Sequence, residues 1–212
     1  LGDQEINIVD IVRPITKYAM MITDPASIRY HLERALYLAK SGRPGPVWLD
    51  IPLDVQAAMI AGTNLKSFNP AELGEPFDKK RVDLQVDELL ARLLAAKRPA
   101  FVAGNGIRLA DAQQEFLQLA ENLNIPILTA ISGTDLIESN HPLYAGRPGI
   151  LGARAANFVM QNSDLLMVLG SRMNIRVIGY AFETVAREAV KVMVDIDPEE
   201  LNKPTFKPDI KI

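Results

Sequence analysis

The chain has 212 residues, 48% of them hydrophobic and 23% charged, an ordinary globular composition with room for one full domain and part of another. Its net charge of −3 (26 acidic against 23 basic side chains) carries no Lys/Arg block of the kind that marks a nucleic-acid footprint. The lack of cysteine excludes disulfides and thiolate metal sites, two histidines argue against His-rich centres, and no apolar run approaches the about 20 residues of a membrane span.

The N-terminus, Leu1-Gly2-Asp3, has neither an initiator Met nor signal-peptide character and is expected to be a cut inside a longer chain. Asp24-Pro25 predicts an N-cap with proline at the first helical position. Ile28, Leu32, Leu36 and Ala39 then recur at helical spacing, which predicts one buried face. The two glycines and two prolines of 41–46 end that helix, and Val47-Trp48-Leu49-Asp50-Ile51 is predicted as a buried strand closed by Pro52. One helix and one or two strands cannot enclose a core. Residues 1–60 are therefore expected to be the tail of a domain, followed by a Gly- and Pro-punctuated linker over 61–81.

From Val82 the pattern is regular. Val86, Leu89, Leu90, Leu93 and Leu94 form a helical stripe that covers the sheet or a partner, ended by Lys97-Arg98-Pro99. Strand 100–103, a helix with Phe116, Leu119, Ala120 and Leu123 on one face, and strand 126–130 follow. A long loop through His141-Pro142 and 146–152, a helix near 153–161, strand 165–169, a helix near 181–189 and strand 191–196 complete the alternation. Such alternation predicts an open, mostly parallel α/β sheet with helices on both faces over 82–212.

Three of these strands end where parallel sheets place their ligands. One runs into Gly104-Asn105-Gly106, one into Gly170-Ser171-Arg172, and one into Asp195-Ile196-Asp197. Glycines let a phosphate approach the backbone, an arginine meets a pyrophosphate with forked donors, and a carboxylate after a strand accepts from ribose hydroxyls. This predicts a dinucleotide-type pocket, functional or vestigial. Leu109 breaks the full GxGxxG pattern, so a tight glycine turn is the plain alternative for 104–106. For Arg172 that alternative is a surface ion pair; Asp195 is favoured as a ribose or adenine contact and Asp197, before Pro198, as a helix cap. Gly146, Gly149 and Gly152 with Arg154 make a loop that either meets a ligand or packs closely. Trp48 is expected in the core, His31 at a surface or interface, and His141 in a structural loop.

The ordered series of Gly42–Val47, Asp50-Ile51-Pro52, Asn124–Ile127, His141-Pro142-Leu143, Ala155-Ala156-Asn157, Leu169–Arg172 and Asp195–Asp197 resembles the thiamine-diphosphate enzymes of the acetolactate synthase group. Gln4-Glu5, Ile8-Val9 and Ile15-Thr16-Lys17 continue the likeness, so it spans essentially the whole chain. The resemblance implies the end of a pyrimidine-binding domain, a linker and a central domain. The family's activating glutamate would lie before Leu1 and its diphosphate-and-magnesium motif after Ile212, so this piece is expected to be inactive by itself, with neither catalytic nor metal residues. The full enzyme would use thiamine diphosphate and Mg2+ on a 2-oxo acid, as a cytoplasmic homodimer or homotetramer.

In such relatives the central domain binds FAD, binds another nucleotide, or binds nothing. The residues that the resemblance places near a flavin or nucleotide are Arg43, Gly104, Asn105, Gly106, Gly149, Ile150, Arg172, Asp195 and Asp197, and Gln4 resembles a glutamine facing the active site across the dimer. There are departures. Ile150-Leu151 replaces a Met-His pair, Met173-Asn174-Ile175-Arg176 lacks two acids, and Leu53 stands where many relatives have lysine. Together these argue against a housekeeping acetolactate synthase. The rivals are a non-binding scaffold and a nicotinamide-binding domain of an oxidoreductase.

Overall fold

The computed structural model describes residues 5–74 and 77–212, which fall into two compact units divided between Phe77 and Asp78. In the first unit, helix α1 (Ile8–Val12) precedes strand β1 (Tyr18–Met21), helix α2 (Ile28–Lys40), strand β2 (Val47–Asp50) and helix α3 (Leu53–Ala57). The strands pair in parallel, Tyr18 opposite Val47 and Met21 opposite Asp50. Asp24 caps a 3-10 turn over Pro25–Ser27 by accepting from the Ala26 amide at 3.0 Å, and α2 follows directly. Lys17 donates to the carbonyls of Leu38 and Ser41, both at 2.6 Å, placing a cation at the negative end of α2.

The face expected to be buried along α2 is buried only in part. Ala35 is buried, whereas Leu32 and Leu36 are half-exposed or more, and Trp48 on β2 is half-exposed rather than core. Two strands and one long helix do not supply enough surface to cover both layers. Residues 66–73 pack back on α2: the Phe68 amide donates to Glu33 at 2.9 Å, and the Phe68 ring lies 5.7 Å from that of Tyr30 and 5.6 Å from that of Tyr37.

The second unit is a six-stranded parallel sheet between two helical layers. Its elements are α4 (Lys79–Ala95), β3 (Pro99–Ala103), α5 (Gly106–Leu109), α6 (Gln113–Leu123), β4 (Ile127–Thr129), β5 (Tyr144–Gly146), α7 (Arg154–Asn162), β6 (Leu165–Leu169), α8 (Ile175–Ile178), β7 (Val190–Val194), α9 (Pro198–Asn202) and β8 (Ile210–Lys211). The strand order is β5-β4-β3-β6-β7-β8, with every pairing parallel. Counted within the unit this is 3-2-1-4-5-6, the doubly wound order, with the direction of winding reversed between β3 and β6.

Both faces of the sheet are covered, so the central strands read as unbroken apolar runs. Phe101, Ala103, Leu165 and Met167 meet α6 and the Leu89 and Leu93 side of α4. Ala100, Val102, Leu166 and Val168 meet α7, α8 and the Val185–Ala189 segment. The α4 stripe therefore divides: Leu89 and Leu93 cover the sheet while Leu90 and Leu94 face outward. On α6, Phe116 and Ala120 are buried but Leu119 and Leu123 are not.

The helix expected near 181–189 is absent. Only a 3-10 turn forms at Phe182–Thr184, and Ala186 is left-handed at φ 43° with its amide on the Gln161 side chain at 3.0 Å. Burial of Val185, Ala186 and Ala189 against the sheet outweighs their helical propensity, and the regular helix lies upstream as α8. Strand β5 lies inside the segment expected as a loop.

Candidate functional site at the carboxyl edge of the sheet

At the winding reversal, the turns after β3 and β6 touch backbone to backbone. The Gly104 amide donates to the Leu169 carbonyl at 2.9 Å and the Gly106 amide to the Gly170 carbonyl at 3.0 Å. A Cβ added to Gly104 would lie 2.2 Å from the Gly170 oxygen, and one on Gly106 would lie 2.5 Å from the Gly170 Cα. Gly170 itself is left-handed at φ 59°. The glycines at 104, 106 and 170 are thus required by one another. The amides of Gly104, Gly106 and Ile107 all donate within the protein, and the four-residue α5 adds little dipole toward an anion.

Arg172 leaves the end of β6 with its side chain more than half exposed. Its Nε donates to Glu200 Oε1, while Glu200 Oε2 accepts from Lys203 Nζ at 2.9 Å. Burial pushes the Glu200 carboxyl up, but the bonds and charges of Lys203 and Arg172 outweigh it and leave it below the usual value. At the end of β7, Asp195 Oδ1 accepts from the Asp197 amide at 3.0 Å, and Asp197 caps α9 by accepting from the Glu199 amide at 3.0 Å. Both aspartates are half-buried at this edge.

The glycine loop after β5 is held by one side chain. Asn157 on α7 accepts from the Gly149 amide at 2.8 Å and donates to the Gly149 carbonyl at 3.1 Å. Gly149 is left-handed at φ 125°, and a Cβ there would lie 2.3 Å from the Arg176 carbonyl, which accepts from the Ile150 amide at 3.1 Å. Ile150 and Leu151 stand at the tip, 65% and 89% exposed. Arg154 lies over the Phe158 ring at 5.3 Å.

Gly104, Asn105, Gly106, Arg172, Asp195 and Asp197 therefore share the carboxyl edge of β3, β6 and β7, and Gly149 and Ile150 belong to the loop after β5. Arg43 is on an exposed turn of the first unit, and Gln4 lies outside the described residues. His31 is half-buried, its Nδ1 2.6 Å from the Tyr18 hydroxyl. His141 Nδ1 accepts from the Leu143 amide at 3.2 Å, so its Nε2 carries the proton toward Glu121 at 3.1 Å. Among the described residues no group of three or more His, Asp or Glu side chains could hold a metal ion. Nor is any described helix long and apolar enough to cross a membrane. Sequence reasoning missed Glu200, because a glutamate three residues after an N-cap reads as part of a capping box.

A model of the thiamine pyrophosphate enzyme central domain matches residues 86–212. The acetolactate synthase large subunit of Lactococcus lactis is 37% identical over 209 residues, which cover 99% of this chain and 36% of the relative. A probable acetolactate synthase large subunit of Methanococcus aeolicus is 34% identical over 208 residues, covering 94% and 33%, and the large subunit of Corynebacterium glutamicum is 36% identical over 205 residues, covering 94% and 32%. The chain spans about a third of the length of these curated relatives.

Proposed function

The chain belongs to the thiamine pyrophosphate enzyme family, as a bearer of its central domain, and from that membership we propose that it is the middle portion of an acetolactate-synthase-like enzyme. In this reading residues 1–60 close a pyrimidine-binding domain, 61–81 link, and 82–212 form the central domain. The whole enzyme decarboxylates and couples 2-oxo acids in the cytoplasm as a homodimer or homotetramer. Thiamine diphosphate and Mg2+ supply the carbanion chemistry there. In this reading the groups that grip that cofactor belong to other parts of the enzyme.

The crevice at the carboxyl edge is proposed to take FAD or another ADP-bearing nucleotide. The observation that carries this is the doubly wound strand order, with Arg172 just after β6 at the winding reversal and Asp195 just after the neighbouring β7. Arg172 would meet the pyrophosphate and Asp195 the ribose hydroxyls. The chain's own part is to bind and orient; no proton transfer in the crevice is needed.

A second reading, a scaffold without ligand, is favoured by the interlocked turns, whose amides already donate to protein carbonyls. Calorimetric titration with FAD, ADP and NAD, with a visible absorbance spectrum of the purified chain, decides between them. Saturable binding of FAD or ADP, abolished in Arg172→Ala, supports the nucleotide site. Silence toward all three at millimolar concentration overturns it and leaves the scaffold. Binding of NAD alone favours the oxidoreductase-type domain.

A further inference from the structure

Arg172 is gripped twice. Glu200, only 7% exposed on α9, accepts from its Nε, and Lys203 Nζ, bonded to the second oxygen of the same carboxylate, donates to the main-chain carbonyl of Arg172. One buried carboxylate and one ammonium thus fix both the side chain and the backbone of a single residue.

The loop they hold is one the chain would not adopt unaided. Gly170 and Met173 are both left-handed, at φ 59° and 44°, and a methionine in that region is strained. The Met173 side chain is fully buried in the core, and the buried Ser171 hydroxyl points to the Met173 sulfur at 3.9 Å. Strain persists only where the surroundings over-determine the conformation, and it gathers at functional sites. Here the surroundings are Met173 from the core side and the Glu200–Lys203 pair from α9.

We propose that Glu200 is a positioning residue, holding the Arg172 guanidinium ready at the end of β6 for a ligand that carries a pyrophosphate. This rests on the nucleotide reading above and deepens it. Glu200 takes the Nε edge of Arg172, and the edge it does not take is the Nη pair, whose parallel donors suit phosphate oxygens. Arg172, Lys203 and Glu200 together carry a net single positive charge. A buried carboxylate is costly unless paired, so Glu200 holds its partners firmly. An arginine fixed before binding loses less freedom on meeting a phosphate.

The test is calorimetric titration of the whole chain with ADP and with inorganic pyrophosphate, for wild type, Glu200→Gln, Glu200→Asp and Arg172→Ala. Glutamine keeps the length and the acceptor for Arg172 Nε but turns an amide nitrogen toward Lys203 Nζ, so Lys203 is released while Arg172 stays held, and the affinity should stay within about threefold of wild type. Aspartate keeps the charge but withdraws it by one methylene, and it should weaken ADP about tenfold, the worth of one charge-assisted hydrogen bond. Rescue by glutamine but not aspartate is the signature, because a merely structural role would lower both affinities together with their melting temperatures. Wild-type affinity in Glu200→Asp, or equal losses in both variants that track stability, overturns the positioning role while the nucleotide site stands. If neither wild type nor Arg172→Ala binds ADP or pyrophosphate, the nucleotide reading falls and the positioning role with it.

Discussion

The Gly106 amide reaches across the sheet's central pair to the Gly170 carbonyl, 3.0 Å away, so the two turns at the winding reversal are built as one piece. Gly170→Ala meets two penalties, a left-handed φ of 59° and a Cβ within 2.6 Å of the Gly106 Cα. Gly42, at φ 56° with nothing within 4 Å of its would-be Cβ, meets only the first. Chemical denaturation should show a loss of about 1 kcal/mol for Gly42→Ala. Gly170→Ala should lose about 3 kcal/mol or more, a backbone clash being added to the same strain. Equal losses would mean that the turns separate without cost.

The Asn157 amide group is the clamp on the loop at 147–152. Asn157→Ala should speed hydrogen exchange at Gly149 and Ile150 while the central strands keep their protection, with a stability loss of about 1–2 kcal/mol. Asn157→Asp keeps the acceptor for the Gly149 amide but loses the donor to its carbonyl, and should fall between alanine and wild type.

Asp164, at the start of β6, accepts from the backbone amides of Lys97 and Arg98, both at 2.8 Å, across the turn that begins β3. Burial raises its carboxyl, but the two amide bonds and the Arg98 charge outweigh that and hold it below 3.8. A depressed carboxylate contributes stability that is fully present above 3.8 and is lost as the pH falls through the folded-state value. Asp164→Asn should therefore be less stable than wild type at neutral pH, by about 1–2 kcal/mol, and the gap should close in acid denaturation below the usual carboxylate range.

Burial, and then the charge of Arg34, hold the His31 imidazole below 6.5. The neutral ring is therefore the form the fold favours. The stability this contributes is present above 6.5 and is lost as the pH falls through the lower folded value. NMR titration should find His31 below its ordinary value, and Arg34→Gln should move it upward by removing the nearby positive charge.

On α4, Leu89→Ala should cost about 2–3 kcal/mol, because that side chain packs on the sheet. Leu94, 90% exposed, should tolerate serine within about 0.5 kcal/mol. Thermal denaturation of the two variants reads the difference directly.

The parallel sheet was legible because strands buried on both faces leave unbroken apolar runs, as Leu165–Leu169 does. Strand β8 was not, since two residues at an edge leave no such run. The segment 181–189 misled because alanine, valine and glutamate favour a helix in isolation, whereas three of its side chains find their place in the core with a left-handed residue among them. At the carboxyl edge the residues themselves were legible: glycines, Arg172, Asp195 and the Asp197 cap all stand at strand ends. Their partners were not. Neither the pairing of Arg172 with Glu200 nor the seating of Gly106 on Gly170 is encoded in local spacing; both arise only when β6 and its neighbours lie side by side.

Met173 sets two requirements that pull apart. Glycine would relax the backbone there and leave a hole under the sheet; valine or isoleucine would fill the hole and make the twist worse. An unbranched, flexible side chain is the compromise that lets the chain turn back on itself without loosening what lies beneath. Drift at this position should accordingly be confined to a very small repertoire.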